Sequence, residues 1–156
     1  MEGSVKAQTC SYDIGLRDGE NEELTFFEDA SSRSSESEVS AMRTLYEYCA
    51  SVARVKFGRG KGVKSFQVIF PGVSSRPTLQ MNSDGCLKLL FGNLRDDETS
   101  YICRDALAKR LRQTSLADSI PQALRSQTVS IDSGKWAVES QNLIQALEYM
   151  RSKGPQ

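Results

Sequence analysis

The sequence predicts an α+β domain: an antiparallel sheet of about four strands with three helices packed against it, in the order α-β-β-β-β-α-(β)-α. Three observations carry this. Apolar residues recur at helical spacing from Val39 to Val52 and again from Trp136 to Met150. Short apolar runs rich in Val, Ile and Phe lie between them, and Asp84-Gly85 divides two of these runs in the manner of a tight hairpin turn.

The first helix is marked by Ser35 and Glu38, which have capping-box spacing and can each satisfy an orphan N–H of the first turn. Val39, Met42, Leu45, Tyr46, Cys49 and Val52 then form one apolar face. Strands are expected over Ala53 to Phe57, Phe66 to Phe70, Thr78 to Asn82 and Cys86 to Phe91, with Gly85 supplying the positive φ of the last turn. A second helix is expected from about Asp96. Asp96, Asp97 and Glu98 suit its positive end, Lys109, Arg110 and Arg112 its negative end, and Ile102, Cys103, Ala106, Leu107 and Leu111 form its buried stripe. Gln127 to Ile131 alternates and reads as the bracketed strand. The last helix runs from about Trp136 to Met150, with Trp136, Ser140, Leu143, Leu147 and Met150 on one side, before Gly154-Pro155.

A chain of 156 residues with 26% charged residues suits one soluble globular domain. Its net charge of zero hides an asymmetry: residues 1–40 hold ten acids against three bases, and the remainder carries the opposite excess. Residues 1–34 read as an acidic, Ser/Gly-rich and weakly ordered leader, and 35–156 as a single α+β domain. Within the leader, Leu24 to Phe27 (LTFF) reads as a strand docked on the body. The leader is either a solubilising tail or a cover that competes with an anionic partner for the basic body.

The four cysteines, at positions 10, 49, 86 and 103, form no CxxC pair, and histidine is absent. Cys49 and Cys103 fall in apolar helical stripes, where a free thiol acts as a small hydrophobe. No metal and no cofactor is expected. No apolar run approaches the roughly 18 residues of a membrane span, and the N-terminus lacks the signal-peptide pattern. No membrane contact and a cytoplasmic location are therefore expected.

The segment most suggestive of function is RVKFGRGKGVKS, residues 54 to 65. Five cations, Arg54, Lys56, Arg59, Lys61 and Lys64, fall within eleven residues that contain no acid. Such a glycine-rich turn can bring N–H groups and positive charge close to phosphate. It is not a P-loop: Gly58 and four residues lead to Val63, and a strand rather than a helix follows Ser65. Catalysis has no visible constellation either. The commonest general base is missing, no GxSxG elbow occurs, and Cys86 stands where a metal-dependent nuclease motif would need an acid before Lys88.

The leading expectation is thus a non-enzymatic module whose basic hairpin contacts nucleic-acid phosphates. A protein-interaction or homodimerisation module, using the acidic leader or a sheet edge, is the second reading, and a small-anion or nucleotide sensor the third. Against all three stands a solvated basic hairpin that only protects a sheet edge.

The order LYEYCASVARVKFGRGKGVKSFQVIF, NSDGCLKLLFG, a charged helix and a Trp-led helix resembles a small α+β domain of unassigned function. That domain is found at the C-terminal end of larger bacterial restriction- or nuclease-like proteins. The matching positions are Leu45, Tyr46, Phe57, Gly58, Gly60, Ser65, Phe66, Asp84, Gly85 and Phe91, within about residues 36–153. Lys64 departs from the pattern, which prefers glycine there. The resemblance implies an accessory, nucleic-acid-associated role without cleavage, and it transfers no active site.

Overall fold

The computed structural model describes residues 18–58 and 61–155. The described residues begin with α1 (Asp18–Arg33) and α2 (Glu36–Val52), continue through β1 (Arg54–Phe57), β2 (Ser65–Ile69), β3 (Leu79–Asn82) and β4 (Leu87–Leu89), and then enter α3 (Glu98–Leu111). They end with β5 (Val129–Ile131), the single turn α4 (Ser133–Trp136) and α5 (Ser140–Arg151). The class is mixed α+β, as expected. The described residues form five strands and four long helices: the bracketed strand forms, and the extra helix lies N-terminal to the expected ones.

All five strands pair antiparallel with their sequence neighbours, in the order β1-β2-β3-β4-β5. Alternation decides the two faces. Val55 and Phe57, Phe66 and Val68, Leu79 and Met81, Leu87 and Leu89, and Val129 and Ile131 point inward and pack with the buried faces of the helices. The opposite face of the sheet is polar apart from Ile69, which stands opposite Arg54.

The capping box forms as its spacing demands: Glu38 N–H donates to Ser35 Oγ at 3.2 Å, and Ser35 N–H donates to Glu38 Oε1 at 2.8 Å. The β3–β4 turn also forms at Asp84-Gly85, where Gly85 takes φ +96° and its N–H donates to the Asn82 carbonyl. Trp136 is fully buried and its indole N–H donates to the Gly85 carbonyl at 2.8 Å, so the last part of the chain locks this turn.

Four expectations need correction. LTFF is not a strand. It lies inside α1, a sixteen-residue helix within the stretch expected to be weakly ordered. Phe26, Phe27 and Ala30 fall on one face of that helix and are buried, and the phenyl rings meet Tyr46, Phe57 and Phe66 edge-on or tilted. Ile102 is 47% exposed, because α3 turns Cys103, Ala106, Leu107 and Leu111 inward and one residue before Cys103 is about 100° off that line. The Trp136 helix is broken: a 3-10 turn at Ala137–Glu139 separates α4 from α5. Cys86 to Phe91 is a strand only over Leu87–Leu89, with flanking hydrogen bonds at Cys86 and Leu90, and Phe91 opens a 3-10 turn instead.

The three first-turn acids expected on α3 divide their work. Asp97 is the N-cap, accepting from Ser100 N–H at 3.0 Å. Asp96 turns away and accepts from Ser75 N–H at 2.7 Å, pinning the loop between β2 and β3. Cys49 and Cys103 are buried as their stripes require, and burial pushes the Cys49 thiol up to about 12. Among the described residues no helix is long and apolar enough to cross a membrane.

Candidate anion-binding surface

The hairpin made by β1 and β2 splits the four described cations of the expected five among three places. Arg54 and Lys56 alternate with the inward Val55 and Phe57, so both project exposed from the outer face of the edge strand. Lys61 is exposed in the connecting loop, where Gly62 takes φ +81° with open space around it. Arg59 lies outside the described residues, as does Gly60.

Lys64 sits apart, at the foot of the loop, and its backbone is held firmly. Its N–H donates to Ser83 Oγ at 2.8 Å, and its carbonyl accepts from Ser83 N–H at 2.8 Å. Ser83 Oγ in turn donates to Asp29 of α1, whose carboxylate also accepts from Arg33 Nε at 2.7 Å. The Ser83 hydroxyl, assisted by Arg33, holds the Asp29 carboxyl below the usual aspartate range against the opposing effect of burial. This corner ties the glycine loop, the β3–β4 turn and α1 together. It brings an acid to the base of the loop against the Lys64 backbone, and Lys64 lines a cleft with Glu22 and Thr25 of α1.

The same joint shows where the leader helix goes. Phe26 packs on Phe57 and Phe66, which point inward, so α1 closes the inner layer and leaves Arg54 and Lys56 uncovered.

The outer face extends the surface beyond the hairpin. Register places Lys56 opposite Gln67, Gln67 opposite Gln80, Gln80 opposite Lys88, and Lys88 opposite Ser130. One transverse row therefore crosses all five strands and carries a cation at two positions. The Gln67 amide donates to Gln80 Oε1 and the Gln80 amide to Asn82 Oδ1, each at 2.9 Å, so the centre of the row is a fixed polar ladder. Arg54 stands two residues from Lys56 on the same face. No Asp or Glu occurs in any of the five strands.

Lys56 and Lys88 are three strand steps apart, roughly 14 Å between backbones at about 4.8 Å per step. That span matches about four steps of a stacked nucleic-acid strand at roughly 3.4 Å each. No aromatic side chain occupies the outward positions of the row, so the face offers charge and amide dipoles without a stacking platform. Gln67 and Gln80 carry no signal in the sequence, and Lys88 enters there only as the lysine of an incomplete nuclease motif. The signal was present in Leu87-Lys88-Leu89, where a cation between two buried leucines must point to the other side of the sheet.

Arg76, at the far loop, is exposed beside Asp96 and lowers that carboxyl together with the Ser75 and Ser74 hydrogen bonds, which dominate. Arg54 itself reaches toward this loop, lining a cleft with Ser74, Ser75 and Asp96. Among the described residues no group of three or more Cys, Asp or Glu side chains is placed to hold a metal ion. No family model, no curated protein and no solved structure matches the chain.

Proposed function

We propose that the protein is a non-enzymatic binding module that engages nucleic-acid phosphates on the outer face of its sheet. Arg54, Lys56 and Lys88 make the contacts, and Lys61 adds charge from the loop. The carrying observation is the transverse register that sets Lys56 and Lys88 in one row on a face whose strands contain no acid. An isolated basic edge would need only Arg54 and Lys56 to discourage strand addition. Lys88 is in the fourth strand, so edge protection does not account for it.

Without an outward aromatic, recognition rests on backbone charge, so affinity falls steeply with salt and base preference is slight. The bacterial restriction- or nuclease-like setting suggested by Leu45, Phe57, Gly58, Phe66 and Gly85 fits such an accessory role.

The test is fluorescence anisotropy with a labelled single-stranded oligonucleotide and its duplex, over a range of salt. Three neutralised phosphates give a log–log salt slope near −2 on the single strand, from about −0.7 per contact. Arg54→Glu with Lys56→Glu should weaken binding strongly while leaving the melting temperature nearly unchanged, since exposed charges contribute little to folding, and adding Lys88→Gln at the half-buried position should remove what remains. Salt-independent binding, or full affinity in the triple variant, defeats the reading.

A further inference from the structure

A cleft of about 490 Å³ lies beside α3 and the segments that follow β4 and precede β5, with no residue of the transverse row in its lining. Its lining is Gly92, Arg95, Tyr101, Arg104, Arg125 and Ser126. Three arginines from three separate segments thus meet around one cavity, and no carboxylate lines it.

The backbone that sets this geometry is tightly fixed. Gly92 N–H donates to the Gln127 carbonyl at 2.9 Å, and a Cβ on Gly92 would stand 2.8 Å from Ser126 Cα. The 125–127 turn therefore rests directly on the 3-10 turn after β4, with Ser126 at φ 61°. The neighbouring Leu94 and Leu124 are buried, anchoring Arg95 and Arg125 at their bases. Arg112 braces the approach to Leu124 by donating to the Pro121 carbonyl at 2.6 Å.

Electrostatics make the cleft unusual. Arg104 spends its Nε on Asp105 at 3.1 Å, and its guanidinium carbon lies 5.0 Å from the Tyr101 ring centroid. Among the described residues, Arg95 and Arg125 have no carboxylate partner. Three guanidinium groups against the one carboxylate of Asp105 leave two positive charges around the cavity. Like charges gathered this way repel one another unless an anion joins them. A phosphate monoester, close to a dianion at neutral pH, matches that excess in charge, and its oxygens suit the planar fork of arginine.

Bare phosphate would leave most of the cleft empty, since the volume falls in the range of sites for drug-sized ligands. The 45%-exposed ring of Tyr101 supplies an aromatic wall for the remainder. We infer that this cleft binds a nucleoside monophosphate, with its phosphate among Arg95, Arg104 and Arg125 and its base against Tyr101. The inference does not depend on the sheet-face reading.

Titration calorimetry of the full chain with adenosine monophosphate and with inorganic phosphate tests it. Both should bind, the nucleotide about tenfold more tightly because of the ring contact. Tyr101→Ala should reduce nucleotide affinity to that of phosphate without affecting phosphate itself. Arg95→Ala with Arg125→Ala should weaken both ligands by tenfold or more, as expected when hydrogen bonds to a charged group are lost. Arg54→Glu with Lys56→Glu should change neither, which separates this site from the sheet face. Phosphate binding with no gain from the nucleoside overturns the choice of ligand. Absence of binding, or binding that survives loss of both arginines, overturns the site.

Discussion

The basic hairpin and the arginine cleft are built from the same kinds of side chain by opposite routes. The hairpin gathers its cations along the chain, and the fold then separates them: Arg54 and Lys56 go to the outer sheet face, Lys61 to the loop, and Lys64 to a joint shared with Ser83 and Asp29. The cleft takes Arg95, Arg104 and Arg125, which no stretch of sequence associates, and places them around one cavity. Proximity in sequence is therefore a poor guide to proximity of charge. What matters is the face on which each residue leaves its element and which elements the topology makes neighbours.

The largest expected effect concerns the support beneath the hairpin. Phe26 is buried against Phe57 and Phe66, with ring centroids 6.2 and 5.0 Å away. Phe26→Ala should cost about 3–5 kcal/mol, the usual range for emptying a buried aromatic site. Urea denaturation would show this as a lower midpoint. A loss below about 1 kcal/mol would mean that α1 does not hold the hairpin in place, and the comparison of two firmly built regions would fail.

How much of this was readable in advance follows the same division between local and assembled features. The capping box of Ser35 and Glu38, the Gly85 turn and the inward Phe57 and Phe66 depend on short-range spacing, and all were legible. α1 reads as a strand from sequence because Leu24 to Phe27 gives four β-compatible residues in a row, three of them apolar. Only the pairing of Phe26 and Phe27 with Ala30, one helical turn on, separates helix from strand there. Ile102 adjoins the Cys103 stripe in sequence, yet it lies about 100° round the helix from Cys103 and faces solvent. The register joining Lys56 to Lys88 needed the order of four strands, and the cleft needed the loop before β5 to lie on Gly92. Neither relation is encoded in local periodicity.

A smaller effect tests the joint that removes Lys64 from the hairpin cluster. The Asp29 carboxyl is held below its ordinary range, first by the Ser83 hydroxyl and then by Arg33. A depressed folded value means that the carboxylate's contribution is complete above the ordinary value, near pH 4, and is lost as pH falls through the lower folded value. Asp29→Asn should therefore lower stability by about 1 kcal/mol at pH 7, the scale of a partly exposed charged hydrogen bond. Melting curves of the two proteins should converge in acid. A gap that persists undiminished at pH 2 would show that the joint does not work through its charge.

The smallest effect bears on the cleft itself, because one carboxylate already competes for one of its arginines. Asp105 is well exposed and holds Arg104 through Nε, so the pair is worth only about 0.2–1 kcal/mol. Asp105→Asn should leave stability within about 0.5 kcal/mol of wild type while raising affinity for adenosine monophosphate by up to about fivefold. The gain arises because an incoming phosphate no longer has to displace a carboxylate or approach it. Oligonucleotide binding on the sheet face should not change. If nucleotide affinity fell instead, Asp105 would be orienting Arg104 rather than neutralising it, and the charge match that selects a dianion would have to be recounted with Arg104 as a positioned donor.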